Sequence, residues 1–306
     1  MISICLPVYN FNISTLIKEL SKQAKLLSVP YEIIIIDDGS DQYTSINKNA
    51  CIGFTFIELP SNIGRSKIRN LFLNFAQYDY LLFIDCDSLI ASPDFLSNYI
   101  EFIKNVPKVV CGGRLYESAC PGRIKRLSWK YGRLRESKLS EDRGKFPNQS
   151  FMTNNFLINK KVLEEIRFDE RITQYGHEDT LFGFALKMKE ITIIHIDNPV
   201  FNGHIETNNE YLIKTKLSIK NLVSILRFGN INMDLVDDIG LLRYYYKIKR
   251  VEIIITISFK LLKPMITYLL KKGYVNLYLF DFYKLGLLLE ELKLHSDKKS
   301  DSIFQH

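Results

Sequence analysis

The sequence predicts an α/β fold: a mostly parallel β-sheet flanked by helices, followed by a helical extension. Three observations carry this expectation. Short β-branched runs alternate with helix-spaced segments through roughly the first hundred residues, the pattern of βαβ units. Two of those runs end in acid, Asp37-Asp38 after IIII and Asp85-Cys86-Asp87 after LLFI. From about residue 210 the texture turns helical, through Leu212, Ile213, Leu217, Leu222, Val223, Ile225 and Leu226.

The elements follow in order. ISICLPV, 2–8, is a buried strand ending near Pro7. Ile13, Leu16, Ile17, Leu20, Ala24 and Leu27 space a helix over 13–27. YEIIIID, 31–37, is β-branched and too short for a comfortable helix. FTFIEL, 54–59, is a strand, 65–76 a helix, YLLFID a strand and PKVVCGG, 107–113, another strand. The stretch 114–145 lacks apolar periodicity and is rich in Arg and Lys, so it reads as a long mobile loop, a lid over a site or a solvated basic excursion. Trp129 and Tyr131 within it are candidates for stacking on a sugar or for anchoring the loop. Residues 151–158 read as a strand, 160–165 and 178–189 as helices, and 191–196 as a last strand. The polar tail 295–306 is expected to fray.

Composition sets bounds. The 306 residues are 46% hydrophobic and 25% charged, enough for a real core, with a net charge of +7. That excess of base suits an anionic partner: a phosphorylated small molecule, an acidic membrane surface or nucleic acid. No RNP, KH, zinc-finger or helix-turn-helix pattern is present, and no nucleic-acid partner is expected. The five cysteines are odd in number and irregularly spaced, which supports neither a disulfide framework nor a structural zinc site. A reducing, cytoplasmic compartment is expected, and MISICLPVYN carries no secretory pattern.

The acids need a partner, because charge at the end of a buried strand is expensive to hold alone. In parallel sheets ligands bind at the carboxyl ends of strands, where both acidic pairs sit. Asp85 and Asp87 are hard oxygen ligands suited to Mn²⁺ or Mg²⁺, although two solvated turn residues would read the same way. Asn62-Ile63-Gly64-Arg65, followed by Lys67 and Arg69, opens a helix: a tight turn with bases that favour phosphate, or a solvated basic face. GxGxxG after the first strand and the Walker A pattern are both missing, which disfavours dinucleotide and P-loop enzymes. Gly176-His177-Glu178-Asp179-Thr180 starts an apolar helix; its acids cap the helix, supply a general base, or do both. His177 and His195 read as structural, and His204 as structural or exposed.

Taken together and in order, ISICLPVYN, IIIIDDGSDQ, NIGRSKIRN, LFIDCDS and GHEDT resemble the family 2 glycosyltransferases with a GT-A fold, over roughly 1–210. NNFLINKKVLEEIRFDERITQYGHEDTLFGFAL also resembles the C-terminal half of galactosyltransferase-like domains. The resemblance implies a sugar-nucleotide site in which Pro7, Tyr9, Asp38 and nearby Asp37 surround the nucleoside of a UDP-sugar. Arg69 would help bind the diphosphate or orient the acids, beside the sugar-nucleotide-binding Asn62, Gly64 and Arg65 of the helix opening. Asp85 and Asp87 would be the DxD pair holding Mn²⁺ or Mg²⁺, with Asp87 the direct ligand and His204 a third one. Asp179 would be the catalytic base and Glu178 would hold the acceptor. The QxxRW pattern of processive synthases is missing, which favours single addition. The implied activity is inverting transfer of a hexose or N-acetylhexosamine to a glycan or lipid-linked acceptor, in cell-surface polysaccharide assembly. The alternative is a catalytically silent sugar-nucleotide- or glycan-binding protein of the same fold. The heavy use of Ile, Asn and Lys suits an AT-rich bacterial genome.

The expected division is a catalytic domain over 1–210 and a helical extension over 211–306, which contacts a membrane surface, packs on the core as a helical subdomain, or contacts another copy in a homo-oligomer. VEIIITISFKLLKPMITYLL, 251–270, is interrupted by Glu252, Lys260, Lys263 and Pro264. An amphipathic helix at a bilayer interface is therefore expected rather than a span, at the inner face of the cell membrane.

Overall fold

Strand alternation decides the architecture. In ISICLPV the side chains of Ile2, Ile4, Leu6 and Val8 share one face of the sheet, and Cys5 takes the other. The same alternation in YEIIIID sends Ile33 and Ile35 to the first face and Ile34 and Ile36 to the second. Both faces are apolar, so both are covered by helices, as a parallel sheet requires.

The computed structural model describes residues 1–226 and 233–303, with side chains described through residue 294. The chain divides into two units. The first comprises Met1–Glu117, Arg133–Thr173 and Glu178–His204. The second comprises Ser118–Gly132, Gln174–His177 and the chain from Ile205 on. The expected fraying of the tail concerns 304–306, which lie outside the described residues, and side chains beyond 294; the backbone before them stays helical.

The strands of the first unit are β1 Ile2–Val8, β2 Tyr31–Asp37, β3 Thr55–Glu58, β4 Tyr80–Ile84, β5 Ser88–Leu89, β6 Val109–Cys111, β7 Arg114–Leu115, β8 Asn155–Asn159, β9 Ile194–His195 and β10 Val200–Asn202. The large sheet has the order β3-β2-β1-β4-β8-β6-β9. It is parallel except for β8, which runs antiparallel to both neighbours. A small sheet, β5-β10-β7, sits after the DCD segment.

The helices, in chain order, are α1 Ser14–Ala24, α2 Thr44–Ala50, α3 Arg65–Leu71, α4 Phe95–Ile103, α5 Arg126–Tyr131, α6 Ser140–Gly144, α7 Lys160–Glu165, α8 Glu178–Met188, α9 Asn208–Ile225, α10 Met233–Asp238, α11 Gly240–Ile248, α12 Glu252–Lys271 and α13 Leu277–Ile303. α1 and α4 cover the face of Ile2, Ile4 and Ile35 through Leu16, Leu20, Phe95 and Leu96. α3, α7 and α8 cover the other face through Ile68, Leu163, Phe182 and Leu186.

The stretch 114–145 corrects an expectation. It is not a structureless loop: it holds β7, α5, a wide turn over Gly132–Glu136 and α6. Arg143 is wholly buried and donates to the carbonyls of Cys111, Gly112, Ile196 and Lys138, so this base is structural rather than solvated. Tyr131 packs on Tyr211 and Phe280 inside the second unit, which makes it an anchor.

The second unit has its own core, where Leu222, Leu242, Phe259, Ile266, Leu270 and Leu288 meet. α9 opens with a capping box: Glu210 N–H donates to the Thr207 hydroxyl, and Thr207 N–H donates to the Glu210 carboxylate. α12 and α13 approach closely at Gly286, where an added Cβ would stand 2.1 Å from the Phe259 ring. Gly286→Ala therefore pushes the two helices apart and costs about 1–3 kcal/mol, seen as a lower midpoint in chemical denaturation. An unchanged midpoint would show that the contact is slack.

Candidate active site

The carboxyl ends of β1, β2 and β4 finish level with one another. Val8 pairs with Asp37, and the register that sets Cys5 against Phe83 brings the DCD segment to the same rim. The Asp37 carboxylate is buried and accepts hydrogen bonds from the Ser40 N–H at 2.8 Å and the Thr44 hydroxyl at 3.3 Å, closing the turn after β2. Asp38 donates its N–H to Val8 O and accepts from Ile63 N–H at 2.7 Å and Gly64 N–H at 3.2 Å. Burial pushes the Asp38 carboxyl above its ordinary value; the two N–H bonds oppose this and Asp37 adds to it. Gly64 has φ +89°, a left-handed conformation that lets these successive N–H groups converge on Asp38. Pro7, half-buried, and the exposed Tyr9 end the β1 side of this rim, and the exposed Asn62 lies in the loop that Asp38 ties down.

Across the rim, Arg69 joins the two acidic motifs. It is 2% exposed. One terminal nitrogen donates to Asp85 Oδ1 at 2.9 Å; the other donates to Arg65 O and lies 3.9 Å from Glu178 Oε1. Arg65, half-exposed, donates to the same Glu178 oxygen at 3.2 Å. The Arg69 guanidinium also lies 5.7 Å from the centre of the Phe168 ring. Burial alone would push Glu178 up, but Arg65 and Arg69 outweigh it and hold the carboxyl below its ordinary value. Asp179 shifts the opposite way. Burial raises it first and the charge on Glu178 adds; the bond from Thr180 N–H at 2.7 Å and the two arginines pull back less.

Asp87 is held from the far side. Its Oδ2 is 3.5 Å from Arg114, which also donates to Asn202 and stacks on Tyr116. Burial pushes the Cys86 thiol between the acids up to about 12, with Asp87 and Asp85 adding, so it is a neutral filler. Gly203 N–H donates to Asp87 O, which sets His204 beside the DCD segment. The exposed His204 ring packs edge-on against Phe11, with centroids 6.2 Å apart. Among the described residues no three His, Cys, Asp or Glu side chains converge as metal ligands, so Asp85, Asp87 and His204 are neighbours without forming a cluster.

Two partly exposed carboxylates still fit a divalent cation of the Mg²⁺ type, which takes one or two carboxylates and completes its shell with phosphate oxygens and water. Arg69 and Arg114 orient the two carboxylates from behind, as groups that support metal ligands commonly do.

Two residues escaped the sequence reading. Arg114 was indistinguishable from the other bases of its stretch; only the pairing of β7 with β10 carries it to Asp87. Asn154 precedes β8 and its carbonyl accepts from Asp85 N–H at 3.0 Å. Its side chain is buried, and among the described residues neither amide atom has a partner; Arg69 Nε is in the same state. Buried polar atoms are seldom left so, and a doubled polar residue heading an apolar strand was the only signal in the sequence.

A family model described as glycosyl transferase family 2 matches residues 3–167 and stops short of the Glu178-Asp179 segment. An uncharacterized glycosyltransferase of Haemophilus influenzae is 28% identical over 111 residues, 36% of this chain and 36% of that relative, so the chain matches about a third of the relative's length. The mannosyltransferase PcManGT of Pyrobaculum calidifontis, in complex with GDP-Man and Mn²⁺, has a TM-score of 0.53 at 14% identity, over 80% of this chain and 69% of that one. The glucosyl-3-phosphoglycerate synthase of Mycobacterium tuberculosis, in complex with Mn²⁺, UDP and phosphoglyceric acid, has a TM-score of 0.50 at 17% identity, over 75% and 80%. These two likenesses are likenesses of fold.

Proposed function

We propose, from the premise that the chain belongs to glycosyl transferase family 2, that it is an inverting, metal-dependent transferase. It moves a hexose or N-acetylhexosamine from a UDP-sugar to a hydroxyl of a glycan or lipid-linked acceptor. The observation that carries this reading is the buried Arg69 bridge, which fixes Asp85 of the DCD segment and Glu178 beside Asp179 to one guanidinium. A donor diphosphate side and a proton-accepting side thus face one rim.

The Asp38 loop, with Pro7, Tyr9 and Asn62, would take the nucleoside, and Arg65 the diphosphate. Asn154, whose amide has no partner among the described residues, would gain hydrogen bonds from the donor sugar. Asp179 would accept the proton of the acceptor hydroxyl as its oxygen attacks the anomeric carbon. The bond from that carbon to the diphosphate oxygen breaks on the opposite side, and UDP leaves with the electron pair. Glu178, kept ionised by its two arginines, holds Asp179 at a higher basicity than a solvated aspartate. Mn²⁺ or Mg²⁺ bound to Asp85 and Asp87 would supply positive charge for the departing diphosphate.

The test is a panel of UDP- and GDP-sugars, each followed by thermal shift and by release of the nucleotide diphosphate, with and without Mn²⁺. Metal-dependent stabilisation by one UDP-sugar, with slow release of UDP in water, supports the reading. Stabilisation without any turnover, even with sugar and lipid-linked acceptors, would make the chain a binding protein. Asp87→Ala lowers Mn²⁺-dependent UDP affinity by at least about a hundredfold, since changes to groups that merely orient ligands already cost about 10–100-fold. A titration equal to that of the unmodified protein would remove the metal site.

A further inference from the structure

α12 carries apolar side chains on two opposite faces. Phe259, Ile266 and Leu270 are buried in the core of the second unit. At 3.6 residues per turn, the opposite side of the helix carries Ile253, Ile254, Ile257, Leu261, Met265 and Tyr268. All six are exposed, Ile253 by 76% and Leu261 by 75%. Scattered exposed apolar residues are ordinary; a stripe of six at helical spacing marks a surface that something covers.

Charge identifies the cover. Between residues 240 and 276 the sequence holds eight Lys and Arg against one acid, Glu252. Lys260 and Lys271 border the stripe, and Lys272 ends it with its ammonium 5.8 Å from the centre of the Tyr268 ring. A second copy would bring two strongly basic faces together. A lipid surface with anionic headgroups offers the complementary sign and an apolar interior. We propose that α12 lies in the plane of such a surface, with its outward stripe among the acyl chains and its lysines reaching back to the headgroups.

By length and composition the stretch Gly240–Lys271 could cross a bilayer. Its packing argues otherwise. One side of α12 is committed to protein through Phe259, Ile266 and Leu270, and through the pair of Lys263 with Glu290 at 2.6 Å.

Flotation of the full chain with vesicles tests this independently of sugar transfer. The chain floats with vesicles containing phosphatidylglycerol and stays down with pure phosphatidylcholine. Ile257→Glu with Leu261→Glu abolishes flotation at unchanged Tm, because neither side chain contributes to the core. Lys271→Glu with Lys272→Glu lowers the vesicle partition coefficient by at least about twenty-five-fold, at roughly fivefold for each lysine lost. Equal flotation of the variants, equal flotation with neutral vesicles, or none at all overturns the proposal. A dimer in solution dissolved by the same substitutions would assign the face to a second copy. Resistance to alkaline carbonate extraction would make the helix a span.

Discussion

Asp179→Asn lowers kcat by about 10²–10⁴-fold and leaves UDP-sugar affinity within a few-fold. The amide keeps the shape and the bond from Thr180 N–H but accepts no proton. The pH profile gives a sharper reading than the loss itself. Burial, and then the charge of Glu178, raise the Asp179 carboxyl. A base works only when deprotonated, so kcat falls as pH drops through that raised value, and the acid limb stands above the range of an ordinary aspartate. Glu178→Gln removes one of the causes of the rise and moves the limb to lower pH. In Asp179→Asn the limb disappears. Full activity in that variant, or a limb that ignores Glu178, would remove the assignment.

Arg69→Met destabilises the first unit by about 3–5 kcal/mol, the scale for breaking a buried ion pair by deleting one partner. Glu178 is 4% exposed and among its two arginines keeps Arg65, which is itself half in solvent; Asp85 Oδ1 loses its Arg69 donor. For a unit of this size the loss lowers Tm by roughly 6–20 °C. Most of it is the cost of stranding Glu178, so adding Glu178→Gln to Arg69→Met recovers stability. Arg69→Lys falls between, since an ammonium keeps the charge but not the fork that reaches both acids. If Arg69→Met melts with the unmodified protein, or if Glu178→Gln adds its full cost in the variant background, the bridge is not what joins the motifs.

Much of this site was legible because its residues stand at strand ends. The IIII and LLFI runs announce buried strands, and whatever follows them must emerge at one rim, so Asp38 and Asp85 could be placed from the sequence. What stayed hidden depends on partners distant in the chain. α2, TSINKNA, has no apolar stripe; it is held by Asn47, whose amide accepts from Ile13 N–H and donates to Phe11 O. β5 and β10 are a few residues each and form by pairing with partners distant in the chain, β5 with β10 and β10 also with β7. Arg143 and Arg114 carry the same composition signal as solvated bases, and only folding shows that one fills a nest of carbonyls and the other meets Asp87. The double apolar character of α12 was readable as a pattern, but which side the protein itself covers was not.

The antiparallel β8 has a consequence for how the chain assembles. β4 is buried along its whole length, and it can pair with β1 as soon as it is made, but its other edge is closed by β8. That closing strand leaves the ribosome about seventy residues later, roughly 4–15 s at about 5–20 residues per second. Throughout that interval YLLFI offers an open, uncharged backbone edge to any other nascent chain. Slowed translation or a depleted chaperone pool should therefore send this protein into inclusion bodies well before its finished form reaches the limit of its stability.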